Sequence, residues 1–286
     1  MAQTDIAALV NQMPELDTAQ AGGRKDSTGK LTGITWEKAI PIYEAILAAG
    51  RDGIMAVLGM LKPVDNGEDY KARYTLHGMA MYVCRSGKEK ERALYVETMA
   101  SQLGTNLPKP IQAFIVQQLQ FCGDRTAVPA LGKVLLDEEL GDPAAAALTA
   151  IRDGAAEQFR AALPQASGRR KLAVVQALGV LRDTQSVAAL KEAASDQNLD
   201  TRIVATWGLA NIGDAGSVDI VLKASNADGW ERIQGVKSCL ILAERLAAAG
   251  DKESARRIYT HLRDTRTDPK EQYVREVAQK ALAALQ

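Results

Sequence analysis

The chain has 286 residues, and its 35 Lys and Arg balance 35 Asp and Glu, so no global field draws it to nucleic acid or an anionic membrane. Hydrophobic residues make up 47% and aromatics only 5%, with Ala and Leu carrying the apolar content, a balance that favours closely packed helices. Cys84, Cys122 and Cys239 lie far apart without C-x-x-C spacing, which excludes a disulfide framework or a zinc or redox pair; each falls in an apolar helical stretch and is expected buried and free.

At the N-terminus, MAQTD lacks a basic n-region and an apolar h-region, and no apolar run approaches the roughly 18 residues of a membrane span. A soluble chain is expected, cytoplasmic or exported without its signal peptide. Residues 4–13 predict a capping helix and 14–33 a polar, glycine-rich connector, so 1–33 reads as a capping helix with a flexible linker. Inside it, AGGRKDSTGKLTG from Ala21 to Gly33 has the composition of a phosphate-cradling loop. The G-x-x-x-x-G-K-[ST] register fails twice: Arg24 stands at the first glycine, and Leu31 follows Lys30. No strand precedes it, so the linker reading is preferred.

A helix begins near Trp36, and from there internal repetition dominates. The tetrads FCGD, AIRD, VLRD and NIGD close four helical stretches at Asp124, Asp153, Asp183 and Asp214, separated by 29, 30 and 31 residues. Each is followed by a second short helical run; aligned on Leu131, Phe159, Leu190 and Val221, these recur at 28, 31 and 31. A two-helix unit of this size cannot bury its apolar face alone and must stack on neighbours.

The segment DTRIVATWGLANIGD, Asp200 to Asp214, resembles the second helix of HEAT repeats, with Asp before an arginine, alternating small and large apolar residues, and an I-G-D turn. Arg73 and Arg275 occupy the arginine position elsewhere and Lys171 replaces it once, whereas Gln112 and Gly141 predict interruption of the family's Asp-Arg ladder. The resemblance implies an all-α fold, a right-handed α-solenoid (α-α superhelix) of HEAT-like helix hairpins over 34–286. Its clearest repeats lie at 108–225. Longer helices follow over 229–286, where AERLAAAGDKESARRIYTHL resembles a tetratricopeptide unit.

Catalytic and metal-binding patterns are missing. His77 and His261 are the only histidines and belong to no HExxH or His-Glu pair, which sets the chain apart from the iron-binding deoxyhypusine hydroxylases of HEAT-repeat build. No nucleophile elbow or glycine fingerprint appears. The run DEEL at 137–140 lacks a spaced set of oxygen ligands for calcium and reads as a solvated helix end. No catalytic residue, metal or cofactor is expected. Trp36, Trp207 and Trp230 with the basic cluster Arg169–Lys171 match in kind what HEAT-like DNA glycosylases use, but the bases are offset by nearby acids, so nucleic acid is not the expected partner.

With Ala205, Leu209 and Ile212 as the core face, 100° per residue places Ile203, Trp207 and Ala210 opposite. Transfer of this register by the repeat gives Gln176 with Leu172 and Gly179, then Gln117 and Gln120 with Ala113, then Tyr74 and Met81 with Gly78, and His77 beside Tyr74. The resemblance puts these second helices on a concave, largely uncharged groove. The expected function is a non-catalytic scaffold binding a protein or peptide, with Trp207 either an anchor whose removal costs binding rather than stability, or a residue packed against a neighbouring loop or terminal helix. The alternative is a HEAT-like enzyme or lyase, DNA glycosylase-like or phycobilin lyase-like, using the same groove.

Overall fold

The computed structural model describes residues 5–13, 15–16, 31–32, 36–63 and 68–285. It separates into two compact units, Met1–Ala155 and Ala156–Gln286. Among the described residues the chain is all-α apart from one two-residue ladder, in which Glu15 and Leu16 pair antiparallel with Thr32 and Leu31. This ladder departs from the expected flexible linker over 14–33, because its two ends are hydrogen-bonded to each other. The rest of the glycine-rich stretch lies outside the described residues.

The first unit contains α1 (Ile6–Asn11), α2 (Trp36–Ala48), α3 (Gly50–Leu58), α4 (Tyr70–Val83), α5 (Glu89–Ala100), α6 (Lys109–Cys122), α7 (Val128–Lys133) and α8 (Gly141–Ile151). The expected capping helix is α1, started by Asp5 accepting from the Ala8 N–H at 3.0 Å. Helices α2, α4, α6 and α8 pack in sequence as one row, with α3, α5 and α7 layered on them. The interior is aromatic at one end: Tyr43, Tyr82 and Tyr95 are fully enclosed, and the Tyr95 hydroxyl donates to the Leu76 carbonyl at 2.8 Å.

The second unit contains α9 (Ala155–Ala162), α10 (Gly168–Leu181), α11 (Val187–Ala193), α12 (Leu199–Ile212), α13 (Val218–Ser225), α14 (Gly229–Ala248), α15 (Lys252–Thr265) and α16 (Gln272–Ala284). Helix α12 is flanked by α10 and α14, and α15 stands between α14 and α16. A continuous core runs from Ala210 and Val221 through Cys239 and Leu242 to Ile258, Leu262 and Val274. Ala205 and Leu209 are fully buried as expected, while Ile212 at the helix end is only half-buried.

The four tetrads are helix exits joined to turn entries. Their third residues are Gly123, Arg152, Arg182 and Gly213, and the last three have φ of 66°, 55° and 87°, the reversal that ends a helix. Three of the closing aspartates then serve the next turn, and the fourth, Asp153, reaches back to the turn of the preceding repeat. Asp124 accepts from the Thr126 N–H at 2.9 Å, Asp183 from the Ser186 hydroxyl, Asp214 from the Ser217 hydroxyl at 2.5 Å, and Asp153 pairs with Arg125 at 3.0 Å. The 29- to 31-residue period therefore records where a helix must stop and a new one be capped.

The arginine position has a second structural job. Arg73 donates to the Lys62 carbonyl, Arg202 to the carbonyls of Asp196 and Gln197, and Arg275 to those of Arg266 and Asp268. Gln112 does the same work, donating to Thr105 and Leu107 carbonyls at 3.1 and 2.7 Å. The expected break in the charge ladder at Gln112 is bridged instead by Lys109, which pairs with Asp137. Asp137 also caps the turn before α8 by accepting from the Glu139 and Leu140 N–H groups, so DEEL is an ordered turn. In the second unit Lys171–Asp196, Arg202–Glu231 and Arg232–Glu271 continue the pattern.

Candidate functional site

The transferred helix register puts most expected groove residues on solvent-facing strips. In the first unit His77 and Met81 on α4 and Gln117 and Gln120 on α6 are exposed, whereas Tyr74 is half-buried. Helices α4 and α6 touch, so these residues share one face of the unit. His77 Nδ1 and Gln118 Oε1 lie 2.9 Å apart, and Phe121 meets the imidazole edge-on at 5.1 Å. No carboxylate pairs with His77 among the described residues. Gly78 does not join the strip: it is buried against Tyr43, whose hydroxyl would stand 2.0 Å from an added Cβ.

The strip also contains Phe121, 49% exposed, beside Met81 at 46%. Sequence periodicity missed Phe121 because it lies inside the FCGD tetrad, which marks a helix end rather than a face. Cys84 borders the same region and is exposed, contrary to the burial expected of all three cysteines; it sits at the α4 C-cap, beyond the packed turns, with Sγ donating to the Ala80 carbonyl at 3.3 Å. Cys122 and Cys239 are buried, and burial pushes both thiols up to about 12, which leaves them protonated and inert.

In the second unit Gln176 on α10 is exposed, and Ile203 and Trp207 on α12 are half-buried. The register is corrected in two places. Ala210 is fully buried, and Gly179 lies between α10 and α12, where an added Cβ would come within 2.7 Å of Gly208 Cα and 3.0 Å of the Trp207 ring. Two glycines facing each other let the backbones approach, and the indole packs across that joint. Trp207 is thus half-buried, with its ring packed against the Gly179 backbone.

The exposed aromatic of this unit is Trp230 at 56%, with Ile233 at 48% one turn later on α14 and Lys237 above the indole at 5.7 Å. Leu199, 40% exposed, begins α12 next to them in the repeat register. Adding thirty to Ile203 reaches Ile233, so the repeat period held the signal needed to find it. Trp36 offers no free ring face, because Arg85 covers it at 4.6 Å and Tyr43 meets it edge-on at 5.9 Å.

His261 is half-buried between α13 and α15, 3.3 Å from the Ser225 hydroxyl. Burial, then the charges of Arg266 and Arg257, hold its imidazole below the ordinary histidine range. Ser225 has no exposed surface, so the pair cannot meet a substrate and serves packing. Among the described residues no three His, Cys, Asp or Glu gather around one point where a metal ion could sit. No helix among them is long and apolar enough to cross a membrane.

The sequence matches the HEAT repeats family over residues 156–240. No curated protein matches the chain. Among solved structures it is similar to a chain from the complex of CpcE and CpcF of phycocyanin lyase from Nostoc sp. PCC7120, at 17% identity over 91% of this chain and 94% of that one, with a TM-score of 0.38. Two of the four tetrad turns, ending at Asp183 and Asp214, fall within the matched residues: the described residues form an all-α helical-repeat chain that matches the HEAT repeats family over 156–240.

Proposed function

We propose that this chain is a non-catalytic scaffold that binds a protein or peptide through largely uncharged strips on its second helices. The observation that carries this reading is the composition of those strips. In the first unit Met81 and Phe121 are exposed large apolar side chains on helices that also expose Gln117 and Gln120, and in the second Trp230 and Ile233 are exposed on α14. Aromatic and methionine side chains beside neutral polar groups match the composition of protein interfaces, and a pre-formed surface limits the ordering cost of binding. A phosphate backbone would need a positive stripe, and the charge ladder instead consumes bases and acids pairwise.

The rival reading, an enzyme or lyase using the same surface, calls for His77 and Tyr74 to gather with a carboxylate in a deep pocket. His77 instead stands exposed with an amide and a phenyl ring as its neighbours. Peptides selected by display against the whole chain provide the test. Their affinity is expected to fall at least about tenfold, roughly 1.4 kcal/mol, in Met81→Ser/Phe121→Ser or in Trp230→Ala, with the melting temperature unchanged. Affinities indifferent to both variants would remove the proposal.

A further inference from the structure

The turns after α11 and α13 frame a cleft of about 790 Å³ in the second unit, and the Trp230 ring is not part of its lining. Thr206 of α12 forms part of its lining, Ile220 and Ala224 of α13 supply aliphatic wall, and Asp196, Lys223 and Asn226 contribute polar groups. The charges lining the cleft cancel in pairs. Asp196 holds Lys171 at 2.5 Å, Glu231 holds Arg202 at 2.8 Å, and Asp219 pairs with Arg257. Four of the five Arg202 N–H donors are committed, two to Glu231 and two to the Asp196 and Gln197 carbonyls at 2.9 and 3.1 Å.

Three other groups keep donors free. Lys223 is exposed, and its ammonium has no hydrogen-bond or ion-pair partner among the described residues, although its field reaches Glu231. The Thr206 hydroxyl, on a residue only 4% exposed, also has no partner there. Asn226 accepts from Arg266 with its Oδ1 at 2.6 Å, which fixes the amide and leaves its Nδ2 without an acceptor. The cleft therefore offers one surplus positive charge, two neutral donors and an aliphatic wall.

We infer that this cleft is a binding site for a carboxylate-bearing ligand, with Lys223 as counter-charge, Thr206 and Asn226 as hydrogen-bond donors, and Ile220 and Ala224 against a short aliphatic chain. A cation is disfavoured because every acid in the cleft already has a basic partner. A phosphate dianion is disfavoured because one ammonium faces it alone with three carboxylates nearby. The carboxylate belongs either to a free small acid or to the C-terminus of a peptide; the chemistry is shared.

The test uses the full chain and three probes, butyrate, N-acetyl-trialanine and the C-terminal amide of the same peptide, titrated while amide resonances are followed by NMR. At least one carboxylate is expected to bind and to shift the resonances of Thr206, Lys223 and Asn226, with the amide at least about tenfold weaker. Comparable binding of butyrate and the peptide acid assigns the site to free acids, and binding of the peptide acid alone assigns it to peptide ends. Lys223→Met, at an exposed position, should weaken binding about tenfold without altering the melting temperature, and Thr206→Val should weaken it several-fold. Equal affinity for acid and amide, an unaffected Lys223→Met, or no shift by either carboxylate up to about 10 mM would overturn the inference.

Discussion

Trp207 shows how a single side chain is decided by what stands opposite it. Helical periodicity put it on the face away from Ala205 and Leu209, which are buried, while Trp207 itself is half-buried. What periodicity does not carry is how near the next helix comes, and here Gly179 and Gly208 remove the two side chains that would hold α10 and α12 apart. The indole consequently covers a backbone joint. Trp207→Ala is expected to cost about 2 kcal/mol of stability, below the 3–5 kcal/mol of a fully enclosed tryptophan because one edge is solvated. Urea unfolding of the whole chain measures it. A loss within about 0.5 kcal/mol would return Trp207 to the exposed class. Cys84 was misjudged for a related reason: the apolar stretch containing it was legible, but the helix exit that turns its last residue outward was not.

At the level of helices and turns the sequence was more informative, because the tetrads mark chemistry that a repeat must perform each time. Arg182 occupies the left-handed position that Gly213 fills one repeat later, with φ and ψ of 55° and 45°. A residue with a Cβ there costs roughly 1–2 kcal/mol, and Arg182 also lies close enough to depress the Arg245 guanidinium, after the larger effect of burial. Arg182→Gly should therefore stabilise the second unit by about 1 kcal/mol, read as a higher unfolding midpoint. An unchanged or lower midpoint would show that the arginine makes compensating contacts.

The charge ladder between helices carries a pH signature. Hydrogen bonding from Arg202 holds the Glu231 carboxyl below the ordinary glutamate range. Its folded-state pKa is depressed, so its stabilisation is present above the unfolded value of about 4.3 and is lost as pH falls through the folded value. Glu231→Gln should reduce stability by about 1 kcal/mol at neutral pH, with the difference from the parent chain closing in acid below about pH 4. A constant difference across that range would mean that packing rather than charge joins α12 to α14. The ladder's partners were only partly legible: Arg202 and Lys171 stood out by position, but Glu231 comes from the first turn of α14 and Asp196 from the turn after α11, whose approach depends on stacking.

For the molecule as a whole, the repeat period disclosed the helical class and the order of paired helices, whereas the exposed surface needed coordinates. Phe121 and Trp230 are invisible as surface residues in a hydrophobicity pattern, since an exposed and a buried aromatic look alike until the neighbouring helix is placed. The fold is built from local contacts, and a stacked-helix chain of this kind ordinarily opens first at its free end. One residue alters that expectation. Arg266, 1% exposed, donates to the Ser225 carbonyl at 2.5 Å and to Asn226 at 2.6 Å, while its own carbonyl accepts from Arg275. Its guanidinium has no carboxylate partner among its hydrogen bonds, so α13 and α16 are tied through a cation that water reaches only when the tie is broken. In deuterium exchange the amides of α13, α15 and α16 should consequently share one opening free energy rather than fray in order from the C-terminus, and Arg266→Met should uncouple them into separate exchange classes.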